Sequence, residues 1–365
     1  MATPPYQQPS PAIMSMATSG SCAASVLGPV PFKDVEEDAD MVSAVSERPL
    51  EEHADMVSSL PCHTITGVSS LKLCCYQGFW IPESWAAATA AMQRHFEPRL
   101  DDVIVSSLPK CGTTWLVALT FATMVRRVYP PGAADHPLRR LNPHQCLPFM
   151  EGLFATRRQG KLEGLPSPRL MNTHMPLQMI PHAIAAPGGG RGCRVIYICR
   201  EPKDMAVSTW HYFRRAFPEL AFSDVVDLLC DGTMLCGPFW DHILGYWRAS
   251  AASPGSVLFL RYEQLLLDPA DGVRRLARFL GLPFSADEET DGIVRGIVEL
   301  CSLRTLSAME PNRTGYVVPR LKLPRQALFR KGMAGDWKNH MTPEMACRMD
   351  SIVADRFHTT GLTFQ

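Results

Sequence analysis

The apolar positions of this chain fall into short continuous runs, separated by longer segments with helical spacing. The runs predict four strands, at Val103 to Ser107, Arg169 to Thr173, Arg194 to Cys199 and Val257 to Tyr262. A nearly all-apolar helix is predicted from Thr114 to Val128, and Asp268-Pro269 opens another helix after the fourth run. Strands that are apolar throughout and alternate with helices are typical of a mainly parallel sheet. We therefore predict a single α/β domain whose central sheet is flanked by helices.

The first 70 residues differ in composition from the rest. Residues 1–32 carry no charge, and nine acidic residues follow between Asp34 and Asp55. Such a segment offers too little apolar surface for a core. We predict a disordered tail over residues 1–70 and one folded domain over residues 71–365.

An octet inside the predicted tail occurs twice. EEDADMVS at residues 36–43 recurs as EEHADMVS at residues 51–58. Two copies are too few to stack into a repeat architecture, which needs at least three. We interpret the pair as a local duplication of which only the second copy packs near the domain. A docking motif presented twice is the alternative.

Charge and cysteine content narrow the class of protein. Lys plus Arg equals Asp plus Glu, at 36 each, so no overall field favours nucleic acid or an acidic membrane, and any anion site must be local. No apolar stretch is long enough to span a bilayer, and the uncharged start lacks the basic residues of a secretory or transit leader. The twelve cysteines contain no C-x-x-C pair. We expect a cytoplasmic protein with reduced thiols; an organelle address is the less favoured alternative.

The loop LPKCGTTW, Leu108 to Trp115, follows the first predicted strand. Backbone N–H groups of such a loop, and of the helix turn at Thr113 and Thr114, bind tetrahedral oxyanions, and Lys110 adds a positive charge. In a Walker loop the lysine follows the second glycine, whereas Lys110 precedes Gly112. The motif therefore indicates a P-loop-like anion site of a different kind, with an ordinary turn as the alternative.

Polar residues also stand at the ends of other predicted strands, where parallel sheets bind ligands. His174, in NTHMP, could be a general base or a structural histidine. Arg200 and Ser208, in CREPKDMAVS, could share one phosphate, whereas Lys203 and Asp204 could merely be a surface pair.

A further basic run, RKGMAGDWKNHMTPE, begins at Arg330. Arg330, Lys331 and the backbone at Gly332 offer donors to an anion, and glycine permits close approach. Separate anion-binding elements in a neutral chain indicate one ligand with at least two anionic ends.

Several blocks together resemble the cytosolic sulfotransferase family, and more closely its plant branch. They are LPKCGTTW, NTHMP, CREPKDMAVSTWHYF, GPFWDHILGYW, RYEQL and RKGMAGDWKNHMT, and the resemblance covers about residues 75–365. It implies transfer of the sulfuryl group from 3′-phosphoadenosine 5′-phosphosulfate (PAPS) to a hydroxyl of a small apolar acceptor, such as a flavonoid, a steroid or a hormone. No nucleic acid or membrane partner is expected.

The resemblance also implies roles for individual residues. The 5′-phosphosulfate would be bound by Lys110, Cys111, Gly112, Thr113, Thr114 and Trp115, with Trp115 stacked on adenine. The 3′-phosphate would be bound by Arg200, Ser208, Arg330, Lys331 and Gly332, and Tyr262 would contact the nucleotide. The loop from Cys301 to Leu306 would close over the adenine, with Leu303 where the family often has an aromatic residue. His174 would be the catalytic base and Lys110 would neutralise the leaving oxygen, without a metal ion.

Two departures from the family and two alternatives remain. Asn172 stands where many animal members have lysine, and the vertebrate dimerisation motif is not visible after His340, which leaves the oligomeric state open. A nucleotide kinase would need Walker order and metal-binding carboxylates. A catalytically silent binder would hold the nucleotide without turnover. Plausible apolar walls for the acceptor, each equally able to be core, are Phe79, Trp80, Phe149, Met175, Tyr212 and Trp240.

Overall fold

The computed structural model describes residues 28–35, 53–65, 68–181, 184 and 193–364. Its strands are β1 Cys62–Ile65, β2 Val68–Tyr76, β3 Phe79–Pro82, β4 Val103–Ser107, β5 Leu170–Thr173, β6 Arg194–Cys199, β7 Val257–Arg261, β8 Tyr316–Val318 and β9 Leu323–Pro324. The central sheet has the order β5-β4-β6-β7 and all its pairs are parallel. The four predicted strands and the α/β class are therefore confirmed, with strand ends that differ by no more than one residue.

The central sheet is buried on both faces because its apolar side chains alternate in direction. Ile104 and Tyr197 belong to the core on one face, which the antiparallel sheet and the C-terminal helix also cover. Val105 and Ile196 belong to the core on the other face. Burial on both faces explains why these strands are continuous apolar runs in the sequence.

Helices cover both faces of the sheet. They are α1 Phe32–Val35, α2 Ala54–Ser58, α3 Glu83–His95, α4 Thr113–Val125, α5 Pro143–Cys146, α6 Met150–Ala155, α7 Gly160–Glu163, α8 Pro202–Phe213, α9 Phe222–Cys230, α10 Phe239–Ala252, α11 Tyr262–Leu267, α12 Pro269–Phe279, α13 Ala286–Thr290, α14 Ile293–Leu300, α15 Leu303–Ala308, α16 Glu310–Arg313 and α17 Pro343–Phe357. Asp268 caps α12 by accepting a hydrogen bond from the backbone N–H of Asp271, with proline at the first helical position, as predicted. Among the described residues, no helix is long and apolar enough to cross a membrane.

Parts of the chain before residue 71 pack against the domain. In the antiparallel sheet β1-β2-β3, β1 precedes the predicted domain boundary. Phe32 is buried in the core, and Asp34 forms a bidentate ion pair with Arg140. Val57, in the second copy of the octet, also packs on the core, whereas the first copy lies outside the described residues.

One expectation about the cysteines is wrong. Cys62 and Cys74 are joined by a disulfide, whereas all the cysteines were expected to be reduced. The two residues lie directly opposite each other in β1 and β2, with Cα atoms 4.1 Å apart. Cross-strand pairing brings the two residues together although twelve positions separate them in the sequence. That relationship could not be read from cysteine spacing alone.

Candidate active site

A cavity of about 500 Å³ opens at the carboxyl ends of the central strands. Twelve of the thirteen predicted site residues line it: Lys110, Gly112, Thr113, Thr114, Trp115, His174, Arg200, Ser208, Tyr262, Arg330, Lys331 and Gly332. The remaining one, Cys111, is fully buried behind the loop, so only its backbone could reach a ligand. The fold thus gathers residues that lie up to 222 positions apart in the sequence around one cavity.

The loop after β4 has a conformation suited to an anion. Lys110 and Gly112 both have positive φ, at 70° and 102°, which curls the backbone between the strand and α4. A Cβ at Gly112 would lie 2.8 Å from the ring of Tyr262, so a side chain is excluded there. The hydroxyls of Ser107 and Thr113 are 2.6 Å apart and link the strand to the first turn of the helix. The N-terminus of α4 is therefore held facing the cavity, where its dipole favours an anion.

The Lys110 ammonium lies among aromatic and cationic groups and is partly buried. Its Nζ lies 4.0 Å from the ring centroid of Tyr212. Burial, together with the nearby charges of Arg200 and Arg330, lowers the pKa of Lys110 to about 7. An anionic ligand would offset these effects and restore the charge of the lysine.

The structure fixes the tautomer of His174. Its Nδ1 lies 2.8 Å from the carbonyl oxygen of Ser107, and a carbonyl can only accept, so Nδ1 carries the proton. In the neutral ring Nε2 then has a free lone pair. Burial lowers the pKa of His174 to about 4, so the ring is neutral near pH 7. Phe149 packs edge-on against the imidazole, with ring centroids 5.5 Å apart.

Glu151 supports His174 from inside the protein and was missed by sequence reasoning. Its Oε1 accepts hydrogen bonds from the Thr173 hydroxyl at 2.5 Å and from the His174 backbone N–H at 2.6 Å. Glu151 is fully buried, and burial raises its pKa to about 7. The signal available in the sequence was a single acidic residue inside the apolar segment LPFMEGLF.

His144, on α5, is a second histidine that sequence reasoning missed. Its Nε2 lies 2.8 Å from the hydroxyl of Thr114, and the residue lines the cavity. Burial, with the charges of His174 and Lys110, lowers the pKa of His144 to about 3. This neutral imidazole therefore fixes the rotamer of Thr114 beside the anion-binding loop.

A cluster of cations lines the same cavity beside this loop. The guanidinium of Arg200 stacks on Tyr262 at 4.6 Å and donates to the carbonyl of Met333 at 3.0 Å. Its Nε is buried and has no hydrogen-bond partner among the described residues. Arg330 and Lys331 both bind the buried carboxylate of Asp336, Lys331 at 2.6 Å. These two ion pairs hold the pKa of Asp336 well below its usual range.

The interpretation of Lys203 and Asp204 as a surface pair is wrong. Asp204 is 1% exposed, and its carboxylate accepts hydrogen bonds from the backbone N–H groups of Gly335 at 2.6 Å and of Trp337 at 2.9 Å. Lys203 is also buried, lies over the Trp337 ring at 4.3 Å and pairs with Asp350. Adjacent opposite charges resemble a surface pair in the sequence, but here each binds the distant C-terminal segment.

Two of the six residues predicted as apolar walls, Phe149 and Tyr212, line the cavity. The other four, Phe79, Trp80, Met175 and Trp240, pack in or against the core instead. Walls that the sequence did not indicate come from α3 and from the β8-β9 hairpin and the residues beside it: Trp85, Val317, Val318, Leu321, Leu323 and Leu328. The loop from Cys301 to Leu306 also reaches the cavity, where Leu303 is in contact distance of Gly332.

Metal-binding side chains do not cluster in the described part of the chain. No group of three His, Cys, Asp or Glu residues there is placed to hold an ion. The polar groups that face the cavity are mainly cations and neutral donors, which suit an anionic ligand.

Both the sequence and the fold match those of known proteins. A model of the sulfotransferase domain matches residues 100–361. Cytosolic sulfotransferases 5 and 8 of Arabidopsis thaliana are 41% and 42% identical to this chain over 300 and 299 residues; both matches cover 80% of the chain, and they cover 90% and 88% of these relatives. The crystal structure of a putative steroid sulphotransferase of Arabidopsis thaliana is 33% identical with a TM-score of 0.69, covering 88% of this chain and 99% of that one. Mouse sulfotransferase SULT7A1, solved in complex with PAP, has the same fold, with a TM-score of 0.61 at 24% identity over 79% of this chain and 95% of its own.

Proposed function

This chain belongs to the plant cytosolic sulfotransferases, which are PAPS-dependent enzymes, and we propose that it transfers a sulfuryl group to a hydroxyl of a small apolar acceptor, with His174 as base and Lys110 as the cation at the leaving oxygen. We also propose that it acts in the cytoplasm, as the names of its relatives suggest. Acceptor candidates are flavonoids, steroids and hormones that carry a hydroxyl group.

The orientation of His174 is the observation that carries this proposal. Because Nδ1–H donates to the carbonyl of Ser107, the unprotonated Nε2 is the atom available to a hydroxyl in the cavity. A base must be deprotonated at the working pH, and the pKa of about 4 ensures this in the free protein. Negative charge arriving with the co-substrate would raise that pKa and strengthen the base.

The residues present fit the two anionic ends of PAPS. At one end, the curled loop and the N-terminus of α4 offer backbone donors, with Lys110 beside them. At the other end, the buried Nε of Arg200 lacks a partner in the described part of the chain, and Arg330 and Lys331 line the same cavity. We propose that the first group holds the 5′-phosphosulfate, and that the second, with Ser208 and Gly332, holds the 3′-phosphate. Tyr262 and Trp115, whose rings pack edge to face with centroids 5.7 Å apart, would contact the part of the nucleotide that joins the two anionic ends.

The chemistry requires positioning and charge stabilisation more than covalent participation. PAPS supplies a sulfuryl group whose bond to the bridging phosphate oxygen breaks as the acceptor oxygen bonds to sulfur. His174 would take the hydroxyl proton at Nε2. Lys110, charged once an anion is bound, would stabilise the negative charge on the departing phosphate. Because these residues supply the positive charge, we propose that transfer proceeds without a divalent metal.

The test is transfer of labelled sulfate from PAPS to a panel of hydroxylated plant flavonoids, steroids and hormones, with and without EDTA. Labelled product that resists EDTA is expected with at least one acceptor. Tight binding of the product nucleotide without turnover on the whole panel would favour the silent binder instead.

A further inference from the structure

The imidazole of His144 is hydrogen-bonded to the hydroxyl of Thr114 beside the anion-binding loop. Nε2 of His144 lies 2.8 Å from Oγ1 of Thr114, and both residues line the cavity. Within the described residues, this imidazole is the only hydrogen-bond partner of the Thr114 hydroxyl. Thr114 stands in the first turn of α4, whose backbone N–H groups are free to bind an anion. The hydroxyl therefore lies among the donors that the proposed function assigns to the 5′-phosphosulfate.

The short helix α5 fixes the position of His144. Asn142 caps this helix, because its side chain accepts a hydrogen bond from the backbone N–H of His144 at 3.0 Å and donates to Asn312 at 2.7 Å. Asn142 and Asn312 are both buried. His144 also lies close enough to Lys110 and His174 for their charges to contribute to its lowered pKa. The imidazole is thus held near the two residues proposed to act in the chemistry.

The direction of the hydrogen bond between the two side chains follows from the chemistry of an anion. A phosphate or sulfuryl oxygen only accepts hydrogen bonds, whereas a hydroxyl has a single hydrogen to donate. If Thr114 gave that hydrogen to His144, its oxygen would present lone pairs to the anion and repel it. The hydroxyl can donate to the anion when Nε2 of His144 carries a hydrogen and donates to Oγ1. The contacts of the ring allow this tautomer, since Nδ1 of His144 has no hydrogen-bond partner among the described residues.

We propose that His144 is a positioning residue whose Nε2–H donates to the Thr114 hydroxyl and so directs the hydroxyl hydrogen at the 5′-phosphosulfate of PAPS. This inference rests on the proposed function and adds a residue to it. The two histidines of the cavity then hold opposite tautomers, since His174 donates from Nδ1 to Ser107 and His144 donates from Nε2. A donor that is oriented before the ligand arrives needs no reorganisation on binding, and the hydrogen bond that it accepts polarises the one that it gives.

The first measurement is a double-mutant cycle on binding of the product nucleotide, which keeps the 5′-phosphate. The Kd is measured by calorimetry for the full chain, for Thr114→Val, for His144→Phe and for the double variant. Thr114→Val removes the hydroxyl at nearly constant volume, and His144→Phe removes the imidazole donor but keeps a ring of similar size. His144→Gln is the conservative variant, since its amide can donate to the hydroxyl.

Thr114→Val should raise the Kd by about tenfold or more, because a hydrogen bond to a charged group is lost. His144→Phe should raise it by about fivefold or more in the wild type, but by less than about twofold when Thr114 is already valine. His144→Gln should stay within about threefold of the wild type. Single effects that multiply in the double variant would overturn the inference, because His144 would then act independently of Thr114. Binding by His144→Gln as weak as that by His144→Phe would also overturn it.

The second measurement determines the tautomer directly. NMR of the full chain, isotopically labelled at its histidine nitrogens and saturated with the product nucleotide, shows which ring nitrogen carries a hydrogen. The His144 signals are assigned by their absence in His144→Gln, and they should show a hydrogen on Nε2. A hydrogen on Nδ1 instead would overturn the inference and leave the proposed function standing. Failure of the wild type to bind the nucleotide would overturn the proposed function, and this inference with it.

Discussion

The carboxylate of Glu151 accepts a hydrogen bond from the backbone N–H of His174 at 2.6 Å. The same oxygen accepts from the hydroxyl of Thr173, so one buried side chain fixes the backbone on which the proposed base stands. The other oxygen of Glu151 has no partner among the described residues. Glu151 therefore limits the movement of the His174 backbone, while the carbonyl of Ser107 orients the imidazole ring.

Glu151 should make stability fall with rising pH. Its folded pKa, about 7, lies above the ordinary carboxyl value, so the folded state disfavours the ionised form. The wild type should therefore lose stability between about pH 4.5 and pH 7.5, about 3 kcal/mol from this group. Glu151→Gln keeps an acceptor oxygen but cannot ionise. As the pH rises from 5 to 8, the Tm of the wild type, measured by calorimetry, should fall by a few degrees relative to the Tm of this variant. Parallel dependence of the two Tm values on pH would contradict the assignment.

Replacing His174 by alanine should abolish transfer without loss of nucleotide binding. The base removes the acceptor proton, and loss of such a group costs about 100-fold or more in kcat. The charged residues of the cavity are not altered by this change, so the Kd of the product nucleotide, measured by calorimetry, should stay within about threefold. A variant that keeps near-normal turnover would refute His174 as the base.

Nucleotide binding should take up a proton at Lys110 above neutral pH. In the free protein the pKa of Lys110 is lowered to about 7, so at pH 8 most molecules carry a neutral amine. A bound anion raises that pKa, so the complex is protonated and affinity falls as the pH rises above about 7. Calorimetric titration at pH 8 in two buffers of different ionisation enthalpy should give an uptake approaching one proton.

Lys110→Ala provides the matched comparison for that measurement. The variant should bind the product nucleotide more weakly, with a proton uptake near zero at pH 8. Uptake that persists in Lys110→Ala would assign the titration to another group. Its kcat should also fall by about 100-fold or more, because the leaving oxygen loses its cation.

Asp204 should control nucleotide affinity without touching the nucleotide. Its carboxylate binds the backbone at Gly335 and Trp337, just beyond the cationic residues that line the cavity. Asp204→Ala would leave two backbone N–H groups without this partner, at a cost of about 1–3 kcal/mol. We expect a Kd for the product nucleotide raised about tenfold and a lower Tm. Asp350→Ala removes an exposed partner of the adjacent Lys203 and should leave the Kd unchanged; equal effects of both variants would argue against the specific role of Asp204.

The fold was predictable from the sequence where a strand is buried on both faces, because such a strand is a continuous run of mainly apolar residues. The runs at Val103–Ser107 and Arg194–Cys199 contain residues that pack on opposite sides of the sheet, so eight of their eleven positions are apolar. The P-loop-like turn was equally visible, because Gly112 and the residues around it follow a strand directly. By contrast, β1 and β8 are short and partly exposed, and neither stands out as an apolar run.

The parts of the site that escaped prediction depend on tertiary contacts. Glu151 and Asp204 are acidic residues buried behind a cavity that is lined by cations, and each accepts hydrogen bonds from backbone N–H groups whose position no local pattern reveals. The prediction of the acceptor walls was mostly wrong for a related reason. An aromatic residue such as Trp240 is equally suited to the core and to the wall of a cavity. Phe149 lines the cavity because the bridge to Asn172 carries it to the edge of the sheet.

The pairing of β1 with β2 has a practical consequence for recombinant work. A chain started at residue 71 would lack Cys62–Ile65, and β2 would present an open row of backbone N–H and C=O groups. Unprotected edges of this kind recruit strands from other molecules and promote aggregation. Truncations for crystallisation or assay should therefore begin no later than residue 28, because Phe32 and Asp34 anchor residues 28–35 on the domain.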